Sequence, residues 1–264
     1  MTVIFPEFRV DYHVGRWARI AKVRVEVTAS FHKRHLGVRL AQTPDDLLAC
    51  QRLRHSCFFH ASGVDADAYD PLCLHVMVGG EVGLVGTARV MLLPDGQHLS
   101  ASYTASAYDL APLSTYPRPV MEVGRFCSAP GTAVDVLRLA WGALTGLVDA
   151  HGVGLLIGCS SFAGADPARH AASLALLGAH HRGPAALTPG RRAARTVPLA
   201  GAVSDRRAAL AGLPPLLRSY LRLGGWVGDH AVVDEVMDTV HVFTALKVDA
   251  VPAARARALR ALAG

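Results

Sequence analysis

A carboxylate and a guanidinium three residues apart interrupt an otherwise apolar run, Val120-Met-Glu-Val-Gly-Arg-Phe-Cys127. A charge inside a buried strand is costly unless it is paired or serves a cleft. Glu122 and Arg125 are therefore the first candidates for chemistry. Glu122 suits proton transfer, and the fork of Arg125 suits a carboxylate. In a regular strand Glu122 and Gly124 share one face, while Val123 and Arg125 share the other. Both charges reach one cleft only if the strand bulges, and Gly124 permits a bulge. Such a bulge also presents a backbone N–H to a substrate carbonyl. The plainer alternative for the pair is a structural ion pair.

Other constellations are weaker. Asp65, Asp67 and Asp70 stand on the loop ASGVDADAYDP, where aspartate suits turns or a patch for a cationic amino-acid side chain. The spacing lacks the glycine and terminal glutamate of a calcium loop. Gly158-Cys-Ser-Ser161 is a strand-to-loop turn, but Phe162 stands where the GxSxG pattern needs its last glycine, and Cys159 has no obvious base. His60 to Asp65 spells the HxxxxD of glycerolipid O-acyltransferases without their downstream Phe-Pro-Glu-Gly; the only Phe-Pro-Glu is Phe5-Pro6-Glu7. His180-His181 has no third ligand at a useful spacing, so no metal is expected. Five cysteines without CxxC spacing read as reduced thiols.

The elements that must hold these residues alternate between strands and helices. Gly37–Thr43 reads as a strand, and Thr43-Pro-Asp-Asp46 as a helix start running through LLACQRLRHSCFF. CLHVMV and VGLVGTARVMLL read as a hairpin around Gly79-Gly80-Glu81. VMEVGRFCSAP is a strand, residues 134–150 have helical spacing, and VGLLIGCSSF is a central strand. Pro167 to Ala179 is a second helix and LPPLLRSYLRLGG a short one. WVGDHAVVD, HVFTALKVD and the helix VPAARARALRALAG complete the chain. Residues 1–36 read as an irregular N-terminal extension, 37–250 as one α/β domain, and 251–264 as a C-terminal helix.

The 264 residues are 51% hydrophobic and 18% charged, which supports a sizeable core and excludes wholesale disorder. The longest uncharged stretch, Ala150 to Ala165, is too short and glycine-broken to span a membrane. The N-terminus lacks the order of a secretory signal, so a soluble cytoplasmic protein is expected. Residues 41–179 carry seven basic and twelve acidic side chains, whereas 180–225 carry eight arginines and one acid. The stretch 180–212 therefore reads as a basic insertion or lid that attracts an anionic partner. Sparse aromatics and the lack of a binding motif there argue against nucleic acid. No GxGxxG or GxxxxGK[ST] loop is present, which argues against dinucleotide and nucleoside-triphosphate enzymes.

Six blocks occur in order: LRHSCFF (53–59), DADAYDPLCLHVMV (65–78), VGTARVM (85–91), MEVGRFC (121–127), GCSSFAGADP (158–167) and LPPLLRSYLRLGG (213–225). Together, over residues 36–245, they resemble the bacterial ornithine lipid N-acyltransferases. The N-terminal half is also similar to the acyl-homoserine lactone synthases. The resemblance implies a GNAT-like α/β fold with a mixed, mostly antiparallel sheet flanked by helices. It implies transfer of a 3-hydroxyacyl chain from acyl carrier protein to the α-amine of ornithine. Two departures stand out. Leu74 replaces an aspartate common in the family, and Asp234, Met237 and His241 stand where it usually shows D-x-x-F-x-x-x-D.

On that resemblance Glu122 is the general base, and Arg125 stands with it among the catalytic residues. Arg54, Asp67, Asp70 and Arg89 belong to the family's charged network. Asp67 and Asp70 are expected to hold the acceptor's side-chain ammonium, and Arg89 or Arg125 its carboxylate. The thioester lies near Phe126–Cys127, with phosphopantetheine in a notch between that strand and the one bearing Ser160 and Ser161. No cofactor is bound; the acyl-phosphopantetheine of the carrier is the donor substrate. The strand is not followed by an R-x-x-G-x-G/A pyrophosphate loop, which favours carrier protein over free coenzyme A. Carrier proteins are acidic, so Arg191, Arg192, Arg195, Arg206 and Arg207 are expected to dock one. The C-terminal helix either packs or touches the inner membrane peripherally. The alternatives are a lactone-synthase-like enzyme and a non-catalytic module binding carrier protein or lipid.

Overall fold

The computed structural model describes residues 27–31, 34–81, 83–203 and 205–263. Strands β1 (Val27–Phe31) and β2 (Arg34–Leu40) lead into helix α1 (Pro44–Phe59). Thr43 starts α1 through a complete capping box with Asp46, whose carboxylate also pairs with Arg39 at 2.6 Å. Strands β3 (Leu74–Gly80) and β4 (Gly83–Leu93) form the expected hairpin. The one-turn helix α2 (Thr104–Ala107) and short β5 (Tyr108–Asp109) precede β6 (Val120–Ser128), α3 (Ala133–His151) and β7 (Leu155–Ala163).

Helix α4 (Ala171–His180) is followed by β8 (Gly190–Arg191), β9 (Thr196–Pro198) and α5 (Arg206–Ala211). Helix α6 (Pro215–Arg222), the pair β10 (Trp226–Asp234) and β11 (Thr239–Lys247), and helix α7 (Ala253–Ala263) end the described chain.

Nine strands form one sheet in the order β1-β2-β3-β4-β6-β7-β11-β10-β9. Every neighbouring pair is antiparallel except β6 with β7. The parallel ladder joins Val120–Glu122 to Leu155–Ile157 and stops there, although both strands run on. The ladder pairing ends at Glu122; the Val123 carbonyl still lies close against Gly158, and beyond that contact the strands part and leave a notch in the middle of the sheet. Alternation along the strands sorts the side chains into two layers. One face packs Met91, Val120, Ile157, Val232 and Phe243 under the 94–118 segment. The other packs Met121, Val123 and Leu156 against α3, and Phe162 and Val240 against α4. We call these the first and second faces.

The structure refines three expectations. Residues 27–31 and 34–36, read as irregular, are strand; residues 1–26 lie outside those described. The 180–212 stretch is no detached lid, because β9 completes the sheet edge on β10 and β8 pairs with β5. Its arginines also fall in two layers: Arg191 and Arg192 follow β5 on the first face, whereas α5, with Arg206 and Arg207, packs on α4 through Ala209 on the second. The C-terminal helix packs: Leu259 joins the second-face core and Arg260 pairs with Asp149 at 2.8 Å. Among the described residues no helix is long and apolar enough to cross a membrane.

Candidate active site

Strand β6 does bulge. Arg89 of β4 faces Gly124, and Thr87 faces Cys127, so β6 spends one residue more than its partner over this step. The left-handed residue is Arg125 (φ 50°), not the glycine before it. The extra residue brings Arg125 to the face of Glu122, as its contacts show. Arg125 Nε lies 3.3 Å from Asp65, Nη2 3.3 Å from Asp67, and its guanidinium 5.1 Å above the Tyr103 ring. Phe126 then packs on the second face, and Cys127 turns its thiol to Cys57 of α1. That bond lowers the Cys57 thiol to about 7 and, with burial, raises Cys127.

Around the bulge lies a closed charge network. Arg54 of α1 pairs with Asp65 at 2.8 Å and with both oxygens of Asp70 at 2.8 and 2.9 Å. Arg89 pairs with Asp67 at 2.5 Å and Asp70 at 3.0 Å. Asp70 further accepts Gln51 Nε2 at 2.9 Å. Burial opposes ionisation of Asp70, but the bonds from Arg54, Gln51 and Arg89 outweigh it and hold the carboxyl well below the usual carboxylate range. Arg54, Asp70 and Arg89 are 1%, 3% and 3% exposed. These three, expected as substrate contacts, form a buried frame whose charges are matched by protein partners. Asp67 and Arg125 are the members with surface left to offer.

Glu122 is 5% exposed and has no ion-pair partner among the described residues. Its oxygens accept the backbone N–H groups of Tyr103 at 2.9 Å and Thr104 at 2.6 Å, where α2 begins. Burial raises its pKa above the ordinary glutamate value, against the pull of those bonds. Behind it across the notch sits Cys159, half-buried on the first face, its Sγ 3.8 Å from Thr104 Oγ1. Burial first, then the charges of Glu122 and Asp234, push that thiol up to about 12. Cys159 is therefore a protonated wall and no nucleophile. Ser160 is buried on the second face and accepts Thr244 Oγ1 at 2.9 Å, while Ser161 is exposed.

The site contains residues that sequence reasoning missed. Tyr69 and Tyr103 flank the Arg89 guanidinium, each centroid 5.6 Å away. Tyr108 is fully buried and donates to the His241 carbonyl at 2.9 Å. Met237, on the β10–β11 turn, accepts Arg125 Nη1 at 3.8 Å. Tyr103 and Tyr108 come from SASYTASAYDL, a stretch with no periodicity to mark it, and Tyr69 from the aspartate loop ASGVDADAYDP. Of the five expected docking arginines, Arg191 and Arg192 are exposed, and the charge of Arg192 reaches Tyr69 beside the network. Arg195 is paired with Glu235, and exposed Arg206 and Arg207 lie on the other face.

A mostly antiparallel sheet that parts around one parallel pair, with a bulged strand at the gap, is the ground plan of a GNAT acyltransferase. The family model described as an acetyltransferase (GNAT) domain matches residues 48–132. The L-ornithine N(alpha)-acyltransferase of Rhodobacter capsulatus is 34% identical over 81% of this chain and 90% of its own length. That of Brucella abortus is 32% identical over 81% and 85%. The chain belongs to this family and is an N-acyltransferase. Among solved structures, FeeM, an N-acyl amino acid synthase from uncultured soil microbes, superposes at a TM-score of 0.45 with 11% identity. It covers 82% of this chain and 94% of its own.

Proposed function

We propose that the protein transfers a 3-hydroxyacyl chain from acyl carrier protein to the α-amine of ornithine. The observation that carries this reading is the end of the β6–β7 ladder at Glu122, which sets a buried carboxylate beside the notch that follows the Val123–Gly158 contact. The phosphopantetheine arm enters that notch, with Ser161 on the opposite wall. The amine attacks the thioester carbonyl, the new C–N bond replaces the C–S bond, and the carrier leaves as its thiol.

Glu122, directly or through one water, takes the proton that the ammonium must lose before attack. Its raised pKa suits a proton acceptor working near neutrality. Backbone N–H groups near Phe126–Cys127, displaced by the bulge, stabilise the developing oxyanion. Arg125, held by Asp65 and Asp67 on one side, offers its remaining donors to the acceptor carboxylate. Arg191 and Arg192 meet the acidic carrier. Exposed Arg255 and Arg257 of α7 suit peripheral contact with anionic lipid at the inner membrane.

Purified protein with 3-hydroxyacyl carrier protein and ornithine, lysine, glutamine and glycine should yield N-acylornithine by mass spectrometry. Glu122→Gln, folded by circular dichroism, should lower kcat by about 100-fold or more. Near-normal turnover by that variant would overturn the base assignment.

A further inference from the structure

The network leaves one question of charge. Asp65, Asp67 and Asp70 are all committed to Arg54, Arg89 and Arg125. The two acids expected to receive an acceptor's side-chain ammonium are thus already neutralised. Two carboxylates beside the notch have no ion-pair partner among the described residues: Glu122 and Asp234.

Asp234 ends β10 two residues after Val232, so its side chain lies on the first face with Glu122, Cys159 and His241. Its Oδ1 accepts the N–H groups of Val236 and Met237, each at 3.0 Å, which fixes the carboxylate at the start of the β10–β11 turn. Oδ2 has no hydrogen-bond partner among the described residues. The same turn reaches Arg125, because Met237 Sδ is 3.8 Å from Nη1. Asp234 is half-buried. Its field, like that of Glu122, bears on the Cys159 thiol, and it also bears on the Tyr103 hydroxyl and the His241 ring.

A diamino acid at neutral pH carries two ammonium groups and one carboxylate. Glu122 serves the amine that reacts, and Arg125 serves the carboxylate. The second ammonium then needs an acid of its own, half-dry and still unpaired. We infer that Asp234 is the specificity residue of the acceptor site, its Oδ2 receiving the distal ammonium of a diamino acid. This rests on the acyl-transfer reading above. It accounts for selection of a diamino acid over a monoamino acid of the same length, since the latter leaves the Asp234 carboxylate unpaired.

The test compares ornithine with norvaline, which has the same carbon chain and no distal amine. Asp234→Asn keeps Oδ1 for the turn and removes the charge. It should raise the KM for ornithine at least tenfold, leave kcat/KM for norvaline within twofold, and erase the preference between them. Equal losses on both acceptors would assign Asp234 to holding the turn and overturn the inference. So would an intact preference for ornithine. Wild-type protein that acylates neither amine would overturn the acyl-transfer reading and this inference with it, whereas wild-type protein acylating both with equal kcat/KM would overturn this inference alone.

Discussion

Asp70 shows how far one side chain can be read from the sequence. Its residue type, its loop and its place among three aspartates were all visible, and they suggested a contact with substrate. What the sequence could not show was where the arginines would point. Arg54 stands sixteen residues upstream on a helix and Arg89 nineteen downstream on a strand, and only the packing of α1 on β4 brings both to one carboxylate. Removing that charge strands two buried guanidinium groups. Asp70→Asn should therefore cost about 3–5 kcal/mol in denaturant unfolding. Because the folded pKa is depressed, the contribution is present above the unfolded value of about 3.9 and is lost as pH falls through the folded one. The variant should lack that acid-sensitive limb, and a stability loss below about 1 kcal/mol would show that the frame is dispensable.

At the scale of elements, β6, α3 and β7 were legible as strand, helix and central strand, and one cleft shared by Glu122 and Arg125 required a bulge in β6. The parallel direction of the β6–β7 pair was not read from the sequence. The position of the left-handed residue was not legible, because glycine is the usual occupant and Gly124 was at hand. Arg125 takes it instead, held by two aspartates and the Tyr103 ring. The point of divergence was also hidden, since it depends on close backbone approach. A Cβ on Gly158 would overlap the Val123 carbonyl oxygen. Gly158→Ala should force β7 away from Val123, the first contact beyond the ladder, costing about 1–3 kcal/mol in thermal or chemical unfolding. It should also lower kcat, because Glu122 is the last residue of the ladder that would be sprung. Unchanged stability would show that β7 can shift without penalty.

For the whole molecule, composition spoke of an anionic partner but not of its address. The eight arginines of 180–225 look like one block in sequence, yet the strands between them deliver Arg191 and Arg192 to the layer of the site and Arg206 and Arg207 to the opposite layer. Charge reversal at Arg191 and Arg192 should raise the KM for the carrier protein and blunt its salt dependence. Reversal at Arg206 and Arg207 should change neither, and steady-state kinetics at two ionic strengths separates the cases. An effect of equal size at both pairs would return the surface to a diffuse field. The sheet itself has a further consequence. In the sheet, β1-β2-β3-β4-β6 and β7-β11-β10-β9 are two antiparallel blocks, welded by three parallel rungs at Val120–Glu122. Glu122, the proposed base, is the final rung of that weld, so the proposed reaction centre and the seam between the two blocks coincide. On that reading, flexing of one block against the other would be felt at the proposed base, and a donor lodged in the gap would act as a splint across the seam.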